Sequence, residues 1–241
     1  MAKIFFVGDG NLMEHSVSGE LEAELRKVLV DIDQAEFLFC GCHDAFTYQA
    51  LTIVILLKEE YPEKQFTVTS IIDPVLAERG TDAVSPGIFR RSMKLPYNAD
   101  RTVYAPEFPL KSDKLILTHS RRITRWAVGQ CSILFTYYYP NLPSPACHLA
   151  GNAAKHVGAE IHHLYMPDTL RRINELIEML PERQRDVLQM SNSGMTYREV
   201  GNSIGVSANR AQQLAGRGAR KVRDMLRDEG ILSEWYRPFV Y

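Results

Sequence analysis

The first two thirds of the chain alternate short apolar runs with longer amphipathic stretches. Residues 3–7 (KIFFV) are an apolar run that ends in the turn signal Gly8-Asp9-Gly10-Asn11, and residues 66–72 (FTVTSII) alternate and are rich in β-branched side chains. Within residues 20–30, one helical face carries Leu21, Leu25, Val28 and Leu29. Further strands are predicted at 37–40, 132–139 and 160–165. Strands separated by segments of helix length predict an α/β fold with a mainly parallel sheet and helices on both faces.

From residue 168 onwards the apolar spacing is helical throughout. Helices are predicted at residues 168–180, 182–190, 197–204 and 208–227, with breaks at Pro181, Ser193-Gly194 and Gly205-Val206-Ser207. The predicted organisation is an α/β domain (1–166), an all-α domain (168–228) and an aromatic tail (229–241). Residues 73–112 contain five prolines and are predicted to be an irregular excursion over the surface.

The last two predicted helices have the pattern of a helix-turn-helix. Thr196 and Glu199 have the spacing of a capping box, Gly205 supplies the tight turn, and Ser207 caps the next helix. The first two turns of that helix carry side-chain donors suited to base edges. Further along, basic side chains that include Arg223 are expected to hold backbone phosphates. The predicted DNA-contacting residues are Ser207, Asn209, Arg210, Gln212, Gln213, Arg217, Arg220 and Lys221.

Charge supports an anionic partner at this end of the chain. Residues 1–167 carry 16 Lys and Arg against 19 Asp and Glu, whereas residues 168–241 carry 12 against 10. Residues 200–223 contain five basic residues and no acid. No apolar run is long enough to span a bilayer, and the N-terminus has the pattern of neither a signal nor a transit peptide. We therefore expect a cytoplasmic protein without a membrane partner.

Residues 180–223 resemble region 4 of the sigma-70 family without a gap. The resemblance implies that the helix beginning at Ser207 enters the major groove of double-stranded DNA. Ala208-Asn209 stands where the family usually has Arg-Glu, so the family's usual promoter element is not the expected target. The alternatives are a dimerisation module or a module that binds RNA polymerase. The matching residues are Leu180-Pro181-Glu182-Arg183, Thr196, Glu199, Gly201, Gly205-Val206-Ser207, Arg210, Gln213 and Arg220-Lys221-Val222-Arg223.

The N-terminal part carries a second resemblance, in the order and spacing of residues 4–8, 37–46, 50–62, 121–128, 132–138 and 150–164. These segments resemble the SLOG superfamily, the Rossmann-like group that includes LOG phosphoribohydrolases and DprA, and most closely its YpsA-like branch. It implies a nucleotide-like ligand in a crevice formed by three loops, 8–11, 41–46 and 143–147. The implied ligand-binding residues are Gly8, Asp9, Gly41, Cys42, His43, Asp44, Arg122, Arg125 and Ser144.

Two of these loops lack the glycines that the family uses to approach a nucleotide. Gly41 is followed by Cys42-His43-Asp44, and Pro145 removes an amide donor from the third loop. We therefore expect the enzymatic chemistry to be lost or altered and assign no catalytic residue. Asp9, Asp44 and Glu107 remain as carboxylates for a nucleotide-processing enzyme, which is the alternative function.

Cysteine and histidine pairs raise the separate question of a metal site. Cys42-His43 and Cys147-His148 are expected near the same crevice, and Cys40 at a strand end. Their spacing matches no ligand pattern, so neither a metal nor a cofactor is predicted.

Taken with the helix-turn-helix, the sequence predicts a DNA-binding transcriptional regulator whose N-terminal domain senses a nucleotide-like ligand or mediates assembly. A homodimer or higher oligomer is expected, because one such module makes few base contacts. The aromatic tail is expected to dock on the core or on a second subunit.

Overall fold

The computed structural model describes residues 1–9, 12–40, 44–72, 74, 99–106 and 116–234, with the backbone alone for residues 12, 116–120 and 234. Within these residues six strands form one parallel sheet in the order β5-β4-β3-β1-β6-β7. The order reverses between β1 and β6, which makes the carboxyl ends of these two strands the switch point of the sheet. The strands are β1 (Ala2–Gly8), β3 (Gln34–Phe39), β4 (Gln65–Ile72), β5 (Arg101–Tyr104), β6 (Ile133–Tyr137) and β7 (Glu160–Leu164).

Both faces of the sheet are covered by helices, as the sequence predicts. On one face Phe6 stacks on Phe39 and on Phe135, with ring centroids 5.2 and 5.6 Å apart. Helices α1 (Ser16–Leu29) and α2 (Ala45–Glu60) pack in the core of that face. Helices α3 (Ile116–Val128) and α4 (Pro145–Val157) pack on the other. The α/β prediction is confirmed.

One strand lies where the sequence predicted only an irregular excursion. β5 pairs in parallel with the end of β4, and its residues Arg101, Thr102 and Tyr104 are exposed. It is a short edge strand with little apolar content, so it gives no strong pattern in the sequence. The other described residues of the predicted excursion, including Pro74 and Pro106, lie outside the sheet, and residues 75–98 lie outside the described part of the chain.

Four helices follow the sheet: α5 (Pro167–Glu178), α6 (Glu182–Asn192), α7 (Tyr197–Ser203) and α8 (Ala208–Asp228). They pack beside the carboxyl ends of the strands. The Thr169 hydroxyl of α5 donates to Glu14 at 2.6 Å, and the Asn192 amide of α6 donates to the Asn141 carbonyl at 3.2 Å. The helices and the sheet therefore share hydrogen bonds, in addition to one continuous apolar core.

The beginning of the C-terminal tail adds a further link between the two parts. Leu232 is buried, and β8 (Ser233–Glu234) pairs antiparallel with β2 (Leu12–Met13), which follows β1. The start of the tail thus forms a separate two-stranded sheet with its own chain, whereas the docking of the aromatic residues stays a prediction. Its aromatic residues from Trp235 onwards lie outside the described part. In the part that is described, no helix is long and apolar enough to cross a membrane.

Candidate nucleic-acid interface

The turn between α7 and α8 is built from local hydrogen bonds. The Thr196 hydroxyl accepts from the Glu199 amide at 3.3 Å while the Glu199 carboxylate accepts from the Thr196 amide at 2.7 Å, which completes the predicted capping box. These bonds favour the ionised form, so the pKa of Glu199 lies below its usual value. Gly205 has φ of 69°, a conformation that glycine adopts without strain. The helix-turn-helix thus has the caps and the turn that the sequence indicates.

Helix α8 begins at a capped end and has two distinct faces. The Ser207 hydroxyl accepts from the Arg210 amide at 3.2 Å. Val200 of α7 and Leu188 of α6 belong to the same buried core as the inner face of α8. The buried residues of that inner face are Ala211, Leu214, Ala215, Gly218, Ala219, Val222 and Leu226.

The outer face of α8, together with its cap Ser207, carries the residues predicted to contact DNA, apart from Arg223. Arg210 donates to the Gln213 side chain at 3.3 Å, which links two of the donors in the first turns. Among the described residues no carboxylate forms an ion pair with Arg217, Arg220 or Lys221. The exposed residues are Ser207, Asn209, Arg210, Gln212, Gln213, Arg217, Arg220 and Lys221.

Arg223 is the exception, because it does not project with these residues. Its guanidinium donates to the Asp9 carboxylate at 2.5 Å and to the Pro143 carbonyl at 3.1 Å. Only 22% of the Arg223 side chain is exposed, and 20% of that of Asp9. In this conformation the guanidinium of Arg223 is bound by Asp9 and Pro143, so its expected contact with phosphate stays a prediction.

The acceptors of Arg223 lie at the switch point of the sheet. Asp9 directly follows β1, and Pro143 lies between β6 and α4. This is the edge at which a Rossmann-like sheet binds its ligand. The side that faces Arg223 presents a carboxylate and a carbonyl, so it is suited to a cation.

Of the predicted ligand-binding residues, the structure brings Gly8, Asp9 and Asp44 together. Asp44 caps α2 by accepting from the Thr47 amide at 2.8 Å and the Thr47 hydroxyl at 2.6 Å. A Cβ at Gly8 would lie 2.2 Å from the Asp44 carboxylate, so only glycine fits there. Burial raises the pKa of Asp44, and the nearby charge of Asp9 acts in the same direction.

The remaining members of the predicted ligand site are spread more widely. Ser144 precedes α4 and is fully buried, next to the turn that holds Pro143. Arg125 lies in the last turn of α3, close to the start of β6 and so towards the opposite edge of the sheet, and Arg122 lies one turn earlier. Gly41, Cys42, His43 and the candidate carboxylate Glu107 lie outside the described residues.

Three buried hydroxyls, those of Tyr137, Tyr139 and Thr169, form a polar group with Glu14 that the sequence did not indicate. The Tyr139 hydroxyl donates to Glu14 at 2.9 Å, and that carboxylate also accepts from Thr169. Burial raises the pKa of Tyr137 to about 12, and it also raises the pKa of Tyr139. Glu14 lies 125 residues from Tyr139, so no local pattern could have shown the contact.

Of the cysteines in the described part, Cys131 and Cys147 are buried thiols, and Cys40 is partly exposed. The Cys147 thiol donates to the carbonyls of Val7 and Tyr137, and burial raises its pKa well above the usual range. In the described ranges no group of three or more His, Cys, Asp or Glu side chains is arranged to hold a metal ion.

Comparison with known families identifies one segment. Residues 176–224 match the model of sigma-70, region 4. The match covers α6, α7 and most of α8, together with the last residues of α5. No curated protein matches the chain significantly. The similarity therefore concerns the helix-turn-helix, and it supports the interpretation of α8 as a DNA-contacting helix.

Proposed function

We propose that this protein is a DNA-binding transcriptional regulator and that α8 is its recognition helix. The observation that carries the proposal is the outer face of α8. It is polar and basic, exposed along its length, and held by a capped helix-turn-helix within a segment similar to sigma-70 region 4. A basic exposed helix in this setting is the usual footprint of a major-groove reader.

The residues at the start of α8 suit contacts to bases, and those further along suit contacts to phosphates. Asn209, Arg210 and Gln213 lie in its first two turns, and their side chains suit hydrogen bonds to base edges. Arg217, Arg220 and Lys221 follow on the same face, where they would hold the phosphate backbone and fix the orientation of the helix. The Ser207 cap and Gln212 flank this surface.

The sheet is proposed to be a separate domain, 1–166, that regulates the helical domain, 168–228. Membership of the SLOG superfamily is part of this proposal, and the parallel sheet with its switch point is consistent with it. A nucleotide-like ligand or an assembly partner would act through this domain. A homodimer that places two α8 helices on paired half-sites would supply the contacts that one helix lacks.

Binding to RNA polymerase is a second candidate function. The similarity to sigma-70 region 4 favours it, because the match extends over α6 and α7 as well as over the recognition helix. Co-purification of polymerase with the full chain after nuclease treatment would distinguish this role from one that requires DNA.

The proposal is tested by selecting bound duplexes from a random pool with the full chain. We expect a recovered consensus and an affinity that falls steeply with salt. Replacing Arg210 and Arg220 together by alanine should abolish selection. The matched control is Lys27→Ala with Lys155→Ala, which removes two exposed charges from the sheet part and should leave selection intact. Equal binding by both double variants would overturn the proposal.

A further inference from the structure

One arginine of the recognition helix is bound by the other part of the chain. Arg223 donates to Asp9 and to the Pro143 carbonyl, whereas Arg217, Arg220 and Lys221 of the same helix are exposed. Asp9 lies 214 residues away in sequence. The contact therefore joins the switch point of the sheet directly to the helix that is proposed to contact DNA.

The backbone position of Arg223 would allow a different partner. Arg223 lies three residues after Arg220 and seven after Gly216, both of which are exposed. Residues at these intervals lie along one side of a helix. Arg223 therefore borders the outer face of α8, and a flexible arginine side chain there has two alternatives, the Asp9 carboxylate or a phosphate of the bound duplex.

The interface would persist without the Asp9–Arg223 bond. Thr169 bonds Glu14, Asn192 bonds the Asn141 carbonyl, and β8 pairs with β2. The shared apolar core includes Met13 and Leu142, both buried. Loss of one partly exposed ion pair leaves these contacts in place, so it changes the partner of Arg223 and not the docking of the helices.

We propose that Asp9 sets the DNA affinity of this protein by withholding Arg223 from the phosphate backbone. Asp9 and the phosphate are both anions that compete for one guanidinium. The inference rests on the proposed DNA-binding function and adds to it a determinant in the other domain. It also gives the switch point a role. Any change that weakens or strengthens the Asp9–Arg223 ion pair changes the number of cations on α8 that can bind DNA.

A double-mutant cycle tests the proposal in the full chain. The variants are Asp9→Asn, Arg223→Gln and their combination, each assayed for affinity to a random-sequence duplex across a salt series. We expect Asp9→Asn to tighten binding on the order of tenfold and to steepen the salt dependence by about one ion. Arg223→Gln alone should change little, and in the Arg223→Gln background Asp9→Asn should have no effect.

The outcomes separate this inference from the proposed function. If Asp9→Asn leaves affinity unchanged, or tightens it equally with and without Arg223, the inference is overturned while DNA binding stands. Weakened binding by Arg220→Ala in the same assay verifies that DNA binding itself is measured. If neither the native chain nor Asp9→Asn binds DNA, both proposals fall. Thermal melts show that each variant is folded, and Asp9→Ser replaces Asp9→Asn if the latter is not.

Discussion

Gly201 of α7 lies so close to Val206 in the turn that no side chain fits between them. A Cβ on Gly201 would stand 2.6 Å from the Val206 carbonyl oxygen and 3.1 Å from the Ser207 carbonyl carbon. The Val206 amide also donates to the Gly201 carbonyl at 2.8 Å. The angle between α7 and α8 therefore depends on a glycine at this position.

Gly201→Ala is expected to destabilise the helix-turn-helix by about 1–3 kcal/mol, because the atoms it meets are backbone atoms that cannot rotate away. Urea unfolding followed by circular dichroism measures the loss. An unchanged midpoint would show that the turn can open without cost, which would contradict the close contact.

Gly216 and Gly218 of α8 look alike in the sequence but are predicted to respond differently to alanine. Gly216 is exposed with nothing within 4 Å of a Cβ, so Gly216→Ala should stabilise the protein by up to about 1 kcal/mol. At Gly218 a Cβ would lie 2.9 Å from the buried Leu188 side chain. Gly218→Ala should therefore gain less or lose stability. Urea midpoints of the two variants, measured side by side, check the difference, and equal gains would contradict it.

Asp44 gives a pH dependence whose sign follows from burial. Because its folded pKa is raised above the unfolded value, its contribution to stability is present below the unfolded pKa and is lost as the pH rises through the folded pKa. Asp44→Asn keeps an acceptor for the Thr47 amide but carries no charge. Relative to the native chain, the variant should gain stability between acidic and neutral pH. The free energy of unfolding of both proteins at about pH 4 and pH 8 tests this. If the stability of the native chain rises relative to that of the variant as the pH increases, the prediction is refuted.

Two exposed cations of α8 should affect DNA binding in different ways. Arg210→Ala is expected to relax sequence preference at one position by about 1–3 kcal/mol, since it removes a donor that is proposed to contact base edges. Lys221→Ala should weaken all duplexes equally and reduce the salt slope by about one. Competition between selected and random duplexes at several salt concentrations separates these effects. A uniform loss from Arg210→Ala would place that residue at the backbone instead.

The helix-turn-helix could be predicted closely because its signals are local. The Thr196–Glu199 box, the positive φ of Gly205 and the Ser207 cap each depend on residues within three or four positions. The parallel strands were also predictable, since apolar runs of strand length separated by helices leave few arrangements. The sequence alone thus determined the fold class and the face of α8 that is exposed.

Tertiary structure alone decided what meets at the carboxyl edge of the sheet. The sequence indicated Asp9 and Asp44 only as candidate ligand-binding carboxylates. In the fold Asp9 binds Arg223, and Asp44 caps α2. The edge strand β5 and the β2–β8 pair also have no pattern strong enough to be seen. These features depend on contacts between residues far apart in the chain, whose partners are set by packing. Local hydrogen bonding and apolar periodicity specify each element, whereas only the docking of the helices on the sheet selects a carboxylate as the partner of Arg223.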